Sequence, residues 1–383
     1  MKIIHLCLSC FYIDGFAYQE NELVAQNVAD GHDVIVIAST ESFDESGHLT
    51  YKSPGEYVGT DGARVIRIPY RYFLPTRIMA KLRLHPGVYK LLMSEMPDAV
   101  FFHGLCGWEL LTVARYKRNN SRVRLLVDSH EDFHNSARTF LSKNILHRLY
   151  YKNIIKSVLD VMDSVLCVSH ETMDFVEETY GLPRKMLSFF PLGGRVFADD
   201  EYSRLRNSVR QELGLLEEQV VYLQSGKIDR MKKLVESLNA FTSLQNENLR
   251  FLICGTLHNE VTREVMELVD NDSRIRYLGW KSADELRSLL CAADVYVQPG
   301  TQSATMQMSL CCRCAVILDD VPSHHVYVRG NGWLVKSQQD LVAAVRESAG
   351  SGDALKKMAS VSAHISSSTL DYARLAKRVY AED

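Results

Sequence analysis

Lys227 and Lys232 stand five residues apart in Gly226-Lys227-Ile228-Asp229-Arg230-Met231-Lys232-Lys233, in the loop expected after the apolar run Val220 to Gln224. Two ammonium groups there could neutralise charge developing on a diphosphate leaving group. Preorganised electrostatic stabilisation of that kind usually contributes more to catalysis than any other single effect. Two further segments share the pattern. Cys254-Gly255 closes the run that starts at Leu249, and Pro299-Gly300-Thr301-Gln302-Ser303-Ala304-Thr305 follows Val295 to Gln298. The hydroxyls of Ser303 and Thr305 lead into a helix, whose free N–H groups and positive dipole end suit phosphate oxygens. The competing readings are a solvated charge cluster for the lysines and a simple capped helix for the last loop. Placement after a strand in each case favours phosphate, because ligands of open α/β sheets bind beyond the carboxyl ends of the strands. The last loop carries no carboxylate.

The elements that must hold these groups repeat twice. Lys2 to Cys7, Val34 to Ala38, Val65 to Ile68, Ala99 to Phe102, Val123 to Val127 and Ser164 to Val168 read as strands in the first half. Val220 to Gln224, Leu249 to Cys254, Ile275 to Leu278, Val295 to Gln298 and Ala315 to Leu318 read as strands in the second. Helices are expected between them, among them Glu20 to Asp30, Leu234 to Gln245, Val261 to Asp270, Ser282 to Ala292, Gln307 to Cys312 and Gln338 to Ser348. Continuous apolar strands alternating with helices predict parallel sheets covered on both faces. The fold class is therefore α/β, with two Rossmann-like doubly wound domains, residues 1–192 and 193–366. Pro191-Leu192-Gly193-Gly194 marks the hinge. A final helix over Ser368 to Tyr380, capped by Ser367 or Ser368, is expected to pack back on the first domain within 367–383.

Bulk properties exclude several classes. A chain of 383 residues with 46% apolar and 24% charged residues is an ordinary globular protein of two domains. A net charge of −3 is no electrostatic footprint for nucleic acid. No apolar run approaches the roughly 20 residues that span a bilayer. The start, Met1-Lys2-Ile3-Ile4-His5-Leu6-Cys7, does not read as a signal peptide, so the cytosol is the expected compartment. Cys7 and Cys10 form a C-x-x-C at a strand end, where a redox motif would instead open a helix. Cys311, Cys312 and Cys314 have no partner pair at zinc spacing and read as small core residues. The dinucleotide fingerprint G-x-G-x-x-G is absent after the first strand, which argues against NAD or FAD. No cofactor or metal is expected, since no Asp-x-Asp stands at a strand end and the adjacent Asp319 and Asp320 point apart in an extended chain.

The second half resembles the donor-binding domain of GT-B-fold glycosyltransferases, in particular family 4 of the retaining enzymes. Their G-R-L-x-x-x-K-G is met by Gly226-Lys227-Ile228 and Lys232-Lys233, with lysine for the arginine and for the second glycine. The glycine that ends their next strand is Gly255. Further matches are Ile275-Arg276-Tyr277-Leu278-Gly279, Glu285-Leu286, Ala293-Asp294-Val295-Tyr296-Val297-Gln298-Pro299 and Asn331-Gly332-Trp333-Leu334-Val335. The order and spacing of these motifs over roughly residues 218 to 345 make the resemblance specific. It implies a nucleotide-sugar donor, whose diphosphate Lys227 and Lys232 would bind within an interdomain cleft. It sets Trp280 and Lys281 beside the nucleobase, with a buried core tryptophan as the alternative. It also implies retention of configuration, in which the leaving diphosphate itself can help deprotonate the acceptor. One departure stands out. The family has two glutamates eight residues apart after the proline, and counting places Ser303 and Met308 at those positions. Gln302 and Gln307 are the nearest polar substitutes. They can bond hydroxyls but bring no charge, so either donor recognition is altered or catalysis is impaired.

For the first half the resemblance implies acceptor binding. Gly15, in Asp14-Gly15-Phe16-Ala17-Tyr18, fits the glycine that lets backbone approach the donor phosphate. His130, in Leu126-Val127-Asp128-Ser129-His130-Glu131-Asp132, fits the histidine that faces the reacting sugar. His103, after Ala99 to Phe102, is a second cleft candidate. Asp128, Glu131 and Asp132 are placed for acid–base work. For the histidines the competing reading is a hydrogen-bonded loop residue, and for the carboxylates a capping or solvated role. Two segments are one-signed. No acid occurs between Tyr70 and Ser94, where Arg71, Arg77, Lys81, Arg83 and Lys90 alternate with Tyr72, Phe73, Leu74, Ile78 and Met79. Arg138, Lys143, Arg148, Lys152 and Lys156 likewise alternate with Phe140, Leu141, Ile145, Leu149, Tyr150 and Tyr151. Such basic amphipathic stretches suit an anionic membrane surface, or else are ordinary solvated faces. The expected function is transfer of a sugar from a nucleotide-sugar donor to a hydroxyl of a glycan or lipid-linked acceptor, in surface polysaccharide or glycolipid biosynthesis. The protein would be cytoplasmic, with peripheral contact at the inner membrane face. The alternative is an inactive partner subunit that binds a nucleotide sugar or glycan.

Overall fold

The β-branched and apolar runs form strands as their composition dictates. The structure is a computed structural model that describes residues 1–44, 48–301, 303–350 and 352–381. The chain divides into two units, Met1–Pro191 with the segment from Leu375 onward, and Leu192–Arg374. The strands of the first unit are β1 (Lys2–Cys7), β2 (Asp33–Ser39), β3 (Glu41–Phe43), β4 (Leu49–Tyr51), β5 (Gly55–Val58), β6 (Arg64–Ile68), β7 (Ala99–Phe102), β8 (Arg124–Ser129), β9 (Val165–Cys167) and β10 (Leu187–Phe189). Eight of them make one sheet in the order β10-β9-β8-β7-β1-β2-β6-β5, and β3 and β4 pair as a separate hairpin. All neighbours in the large sheet run parallel except the edge pair β5 and β6.

The second unit holds β11 (Val220–Ile228), β12 (Leu249–Leu257), β13 (Ile275–Tyr277), β14 (Val295–Gln298), β15 (Ala315–Asp319) and β16 (Gly332–Val335). Their order is β13-β12-β11-β14-β15-β16, and every pairing is parallel. Helices start where the sequence supplies caps. Ser282 with Glu285 and Ser337 with Asp340 each form a capping box, which satisfies two orphan backbone donors at once. Each unit has its own core. Ile4, Leu6, Val100, Phe102 and Val127 anchor the first, and Tyr222, Phe241, Phe251, Val295 and Ile317 the second. The cysteines are all free, and Cys311, Cys312 and Cys314 are buried, as core residues should be.

Three local expectations change. The strand expected to end at Gln224 continues to Ile228, so Gly226 and Lys227 lie in β11 and not in a loop. The helix expected from Gln307 begins at Ala304, which makes Ser303 its N-cap. The single helix expected over Ser368 to Tyr380 is broken. A turn over Ser366–Leu370 stops at Asp371, whose backbone is extended (φ −64°, ψ 120°), and short helices Tyr372–Leu375 and Lys377–Tyr380 follow. The reason is a bridge between Asp371 and Gly194, with the Gly194 N–H donating to the Leu370 carbonyl at 2.9 Å. The last stretch is tied to the first unit: the Asn27 amide nitrogen donates to Ala376 O (3.3 Å) and Arg378 donates to Phe189 O (2.9 Å).

Candidate functional site

In the second unit the three phosphate-type segments are held against one another by backbone geometry. Gly226 and Gly255 face each other in the β11–β12 pairing. A Cβ on Gly255 (φ +124°) would lie 1.9 Å from the Gly226 carbonyl oxygen, so only glycine allows the two strands to continue side by side there. The strand extension leaves Lys227 exposed at its end. Arg230–Lys232 then form a tight turn, capped by the Asp229 carboxylate, which accepts from the Lys232 N–H at 3.1 Å. Gly300 rests on this turn: a Cβ there would come within 2.1 Å of the Met231 carbonyl oxygen. The Thr301 N–H donates to Met231 O (3.1 Å), and the Lys232 ammonium donates to Thr301 O at 2.7 Å. Gln224 adds a bond from its amide nitrogen to Lys232 O, 2.8 Å. Burial lowers the pKa of Lys232.

The last loop is more polar inside than its sequence suggests. The Ser303 hydroxyl does not turn back to cap the helix Ala304–Cys311. It donates to Oε1 of Gln298 at 2.6 Å, and the Tyr296 hydroxyl donates to the same oxygen at 3.0 Å. The Tyr296 hydroxyl also meets the side chain of Thr305. Ala304 is exposed, whereas Gln307 is buried. Among the described residues, Nε2 of Gln298 and Oε1 of Gln307 have no hydrogen-bond partner although both side chains are buried. Buried amide atoms are normally paired, so these two are open valences beside the loop. Gln302 lies outside the described residues. On the neighbouring edge, the Gly255 N–H donates to Gly279 O at 2.8 Å, which brings the next turn in. Trp280 follows it with 71% of its surface exposed, so it is not a core tryptophan. Lys281 pairs with Glu285 at 3.6 Å. Asp319 and Asp320 do point apart, toward Lys233 (3.6 Å) and toward His325 (2.6 Å).

In the first unit only part of the expected cluster is accessible. His130 keeps 34% of its side chain exposed, while its Nε2 turns inward, 3.7 Å from Oδ2 of Asp128 and 3.8 Å from Oε1 of Glu20. Burial works against its charge, but Asp128 and Glu20 outweigh this and push the pKa up to about 9. Glu131 is half-buried and accepts a hydrogen bond from the Ser129 hydroxyl. Asp132 caps the turn that follows, accepting from the N–H groups of His134 and Asn135. Gly15 sits at positive φ in the turn closed by Phe16 N–H to Ile13 O at 3.1 Å, and neighbouring Asp14 is held by Lys52 (2.8 Å) and Tyr57 (2.7 Å).

His103 and Asp128 are corrected. Both are wholly buried, so neither faces a substrate. They face each other, Nδ1 to Oδ2 at 2.7 Å, because the adjacent strands β7 and β8 deliver them side by side. His5, Asn27 and Glu20, to which the sequence assigns no role, complete this group. A histidine inside the apolar run Ile3-Ile4-His5-Leu6 is the signal that could have found it, since a buried polar group needs a partner.

Residues 17–193 match the family model described as Glycosyltransferase Family 4, and residues 206–360 match Glycosyl transferases group 1. The chain belongs to the GT-B-fold glycosyltransferases of this family-4 kind. Among solved structures it is similar to HepE of Anabaena in complex with UDP, at 15% identity and a TM-score of 0.67, covering 99% of this chain and 98% of that one. It is also similar to WaaG, a glycosyltransferase involved in lipopolysaccharide biosynthesis, at 15% identity and a TM-score of 0.61, with 100% of each chain covered. A glycosyltransferase from Rickettsia africae aligns at 12% identity and a TM-score of 0.66, over 98% of this chain and 96% of that one. At such identities the likeness is one of fold. A comparison with curated proteins finds no match in sequence.

Proposed function

We propose that this glycosyltransferase takes its sugar from a nucleoside diphosphate donor and passes it, with retention, to a hydroxyl of a glycan or lipid-linked saccharide. The observation that supports the reading is the junction of the two loops at Lys232 and Thr301, which holds the Lys232 ammonium on the loop ahead of the Ala304–Cys311 helix, while Lys227 stands exposed at the end of β11. In this reading Lys227 and Lys232 neutralise the departing diphosphate, and the first-turn N–H groups after Ser303 bind its oxygens. Trp280 stacks on the base, with Lys281 beside it. Gly15 lets backbone approach the phosphate, and His130 meets the reacting sugar. The open amide atoms of Gln298 and Gln307 bind hydroxyls in place of the glutamates usual in this family. No metal takes part. HepE has been seen with UDP, UDP-glucose and glucose, and WaaG acts in lipopolysaccharide biosynthesis, which supports a nucleotide sugar and a cell-surface glycan as the classes to test first.

The acceptor side is proposed to work at an anionic membrane surface, in the cytoplasm. Among the described residues no helix is long and apolar enough to cross a membrane. The two basic segments do, however, touch each other. Tyr150 donates to Leu82 O at 3.0 Å and Tyr151 donates to Lys81 O. Both segments carry exposed apolar side chains, Tyr72 (76%) and Phe73 in one and Phe140 (78%) and Leu141 in the other, and Trp108, Ile145 and Leu149 line a groove of about 580 Å³. Exposed apolar side chains interleaved with lysine and arginine along the chain are the composition of a membrane-lying surface.

Turnover tests the reading. Purified protein is offered UDP-, GDP- and other nucleotide sugars with membrane lipid extract, and nucleotide release is followed. Release that depends on Lys227 and Lys232 is expected. Binding of a nucleotide without release from any donor would favour a second reading, a non-catalytic partner subunit, which the loop without carboxylates motivates.

A further inference from the structure

Behind His130 lies a line of buried polar side chains to which the proposed reaction gives no role. His5 comes from the middle of β1, Asn27 from the helix Gln19–Ala29, His103 from just after β7 and Asp128 from β8. All four are 0% exposed. Oδ1 of Asn27 lies 3.0 Å from Nε2 of His5, Nδ1 of His5 lies 2.9 Å from Nε2 of His103, and Nδ1 of His103 lies 2.7 Å from Oδ2 of Asp128. The other Asp128 oxygen accepts the Gly104 N–H at 2.6 Å.

The hydrogens along this line follow from its ends. The Asn27 amide nitrogen donates to Ala376 O, so its oxygen accepts from His5 Nε2. With that proton placed, neutral His5 offers only an acceptor at Nδ1, and His103 must donate to it from Nε2. His103 also donates from Nδ1 to a carboxylate. Both of its nitrogens then carry hydrogen, so it is an imidazolium paired with Asp128. Electrostatics agree. Burial, then the neighbouring His103, lowers His5 to about 3, while for His103 the Asp128 carboxylate overcomes burial and raises it to about 9. His103 and His130 in turn hold the Asp128 carboxyl well below the usual range against the effect of burial.

Oδ2 of Asp128 is thus shared by two imidazoles, His103 at 2.7 Å and His130 at 3.7 Å. The nearer one occupies it. The farther one feels its charge without a hydrogen bond, and Nε2 of His130 has no hydrogen-bond partner among the described residues. We propose that Asp128, backed by the His103 imidazolium, His5 and Asn27, is a positioning residue that turns the His130 ring inward at Nε2 and keeps that ring charged. The proposal takes His130 as the group that meets the reacting sugar, so its use in catalysis rests on the reading above. The charged and titratable groups around the pair are Glu20 from the helix Gln19–Ala29, Glu131 beyond β8, His5 and the Cys7 thiol of β1, and the Cys10 thiol after it. Of these groups, the carboxylates Asp128, Glu20 and Glu131 favour charge on His130.

The test reads His130 directly. The full chain is labelled with ¹⁵N-histidine, the His130 signals are assigned with His130→Gln, and the ring is titrated from about pH 5 to about pH 10 by NMR. Asp128→Asn is expected to lower the His130 midpoint by about one unit or more, because it loses its nearest counter-charge. His103→Gln keeps a donor toward Asp128 but removes the competing cation, and is expected to raise the midpoint. Opposite movements in the two variants support the relay. An unchanged midpoint in a natively folded Asp128→Asn protein overturns it. If that variant does not fold, His103→Gln decides alone, and a midpoint that stays or falls overturns the proposal. The titration needs no turnover, so a protein that releases no nucleotide from any donor would refute the glycosyl-transfer role of His130 while leaving the relay judged separately. Where release is seen, the alkaline fall of its rate should move down in Asp128→Asn together with the midpoint.

Discussion

The Lys232 ammonium donates a 2.7 Å hydrogen bond to the carbonyl oxygen of Thr301, tying the turn after β11 to the loop after β14. The bond does two things. It orients a cation whose charge burial already disfavours, and it holds the Thr301 carbonyl of the loop that precedes the Ala304–Cys311 helix. In the proposed reading, this is the cation that a departing diphosphate would meet.

Lys232→Ala should therefore lower kcat/KM for nucleotide release by roughly a hundredfold, the scale seen when one preorganised donor is removed from a site of developing charge. Steady-state kinetics on the donor found by screening would measure it. A change of less than about threefold would remove Lys232 from the site.

Gly255→Ala should destabilise the second unit by about 3 kcal/mol, because the new methyl group meets a carbonyl oxygen that cannot retreat without breaking the β11–β12 pairing. Gly350→Ala makes the matched control, since there the nearest atoms are 3.9 Å away and its φ is already negative. Its effect should stay within about 0.5 kcal/mol. Urea unfolding of the two variants compares them.

Stability should pass through a maximum near neutral pH. His103 and His130 have folded pKa values raised to about 9, so the stability they contribute is complete below the unfolded value of about 6.5 and is lost as the pH rises through 9. His5, lowered to about 3, acts in the other direction: the unfolded chain binds its proton first, so stability falls as the pH drops below about 6.5. Asp128 adds to the acid loss, since its carboxylate is stabilised in the fold. In Asp128→Asn the penalty relative to the natural chain, about 3 kcal/mol for a broken buried pair, should be largest near pH 6 and shrink toward pH 9. Thermal unfolding across pH would show a constant difference if the pair were not ionised.

Trp280→Ala should leave stability within about 0.5 kcal/mol, since the ring is largely exposed. If the indole stacks on a base, nucleotide affinity falls by about tenfold, the lower range for one base–aromatic contact. Calorimetric titration with the nucleoside diphosphate that stabilises the protein best would decide between a stacking ring and an idle one.

Phe140→Glu combined with Leu141→Glu should weaken binding to vesicles containing phosphatidylglycerol by tenfold or more, roughly the loss from two apolar side chains, without unfolding the exposed segment. Binding of the natural chain should also fall with added salt, because lysine and arginine supply part of the attraction. Equal sedimentation of both proteins with such vesicles would remove this face as a docking surface.

Much of the fold is legible in the residues alone. Runs such as Val34 to Ala38 and Val295 to Gln298 could be little but buried parallel strands, and they fall in the expected places. Boundaries set by distant partners are not legible. Nothing near Gln224 says that β11 runs on to Ile228, since that depends on Gly255 lying opposite Gly226. The break at Asp371 depends on Gly194, far away in sequence. The same holds for the site. His103 and Asp128 read as cleft residues because sequence shows type and spacing, not depth. Their burial comes from neighbouring strands β7 and β8, and from β1 beside them.

The chain's path also sets an order of events during synthesis. The first unit is made up to Pro191, yet it includes the segment from Leu375 onward, and the carbonyl that orients Asn27 at the end of the buried line belongs to Ala376. At typical elongation rates the intervening chain takes on the order of ten to thirty seconds to leave the ribosome. For that interval the early half must wait as an unfinished body, with Asn27 and His5 lacking their last anchor. Nascent chains arrested before Ala376 should hold a looser first unit than chains that extend past it, so the segment from Leu375 onward acts as a latch on Met1–Pro191.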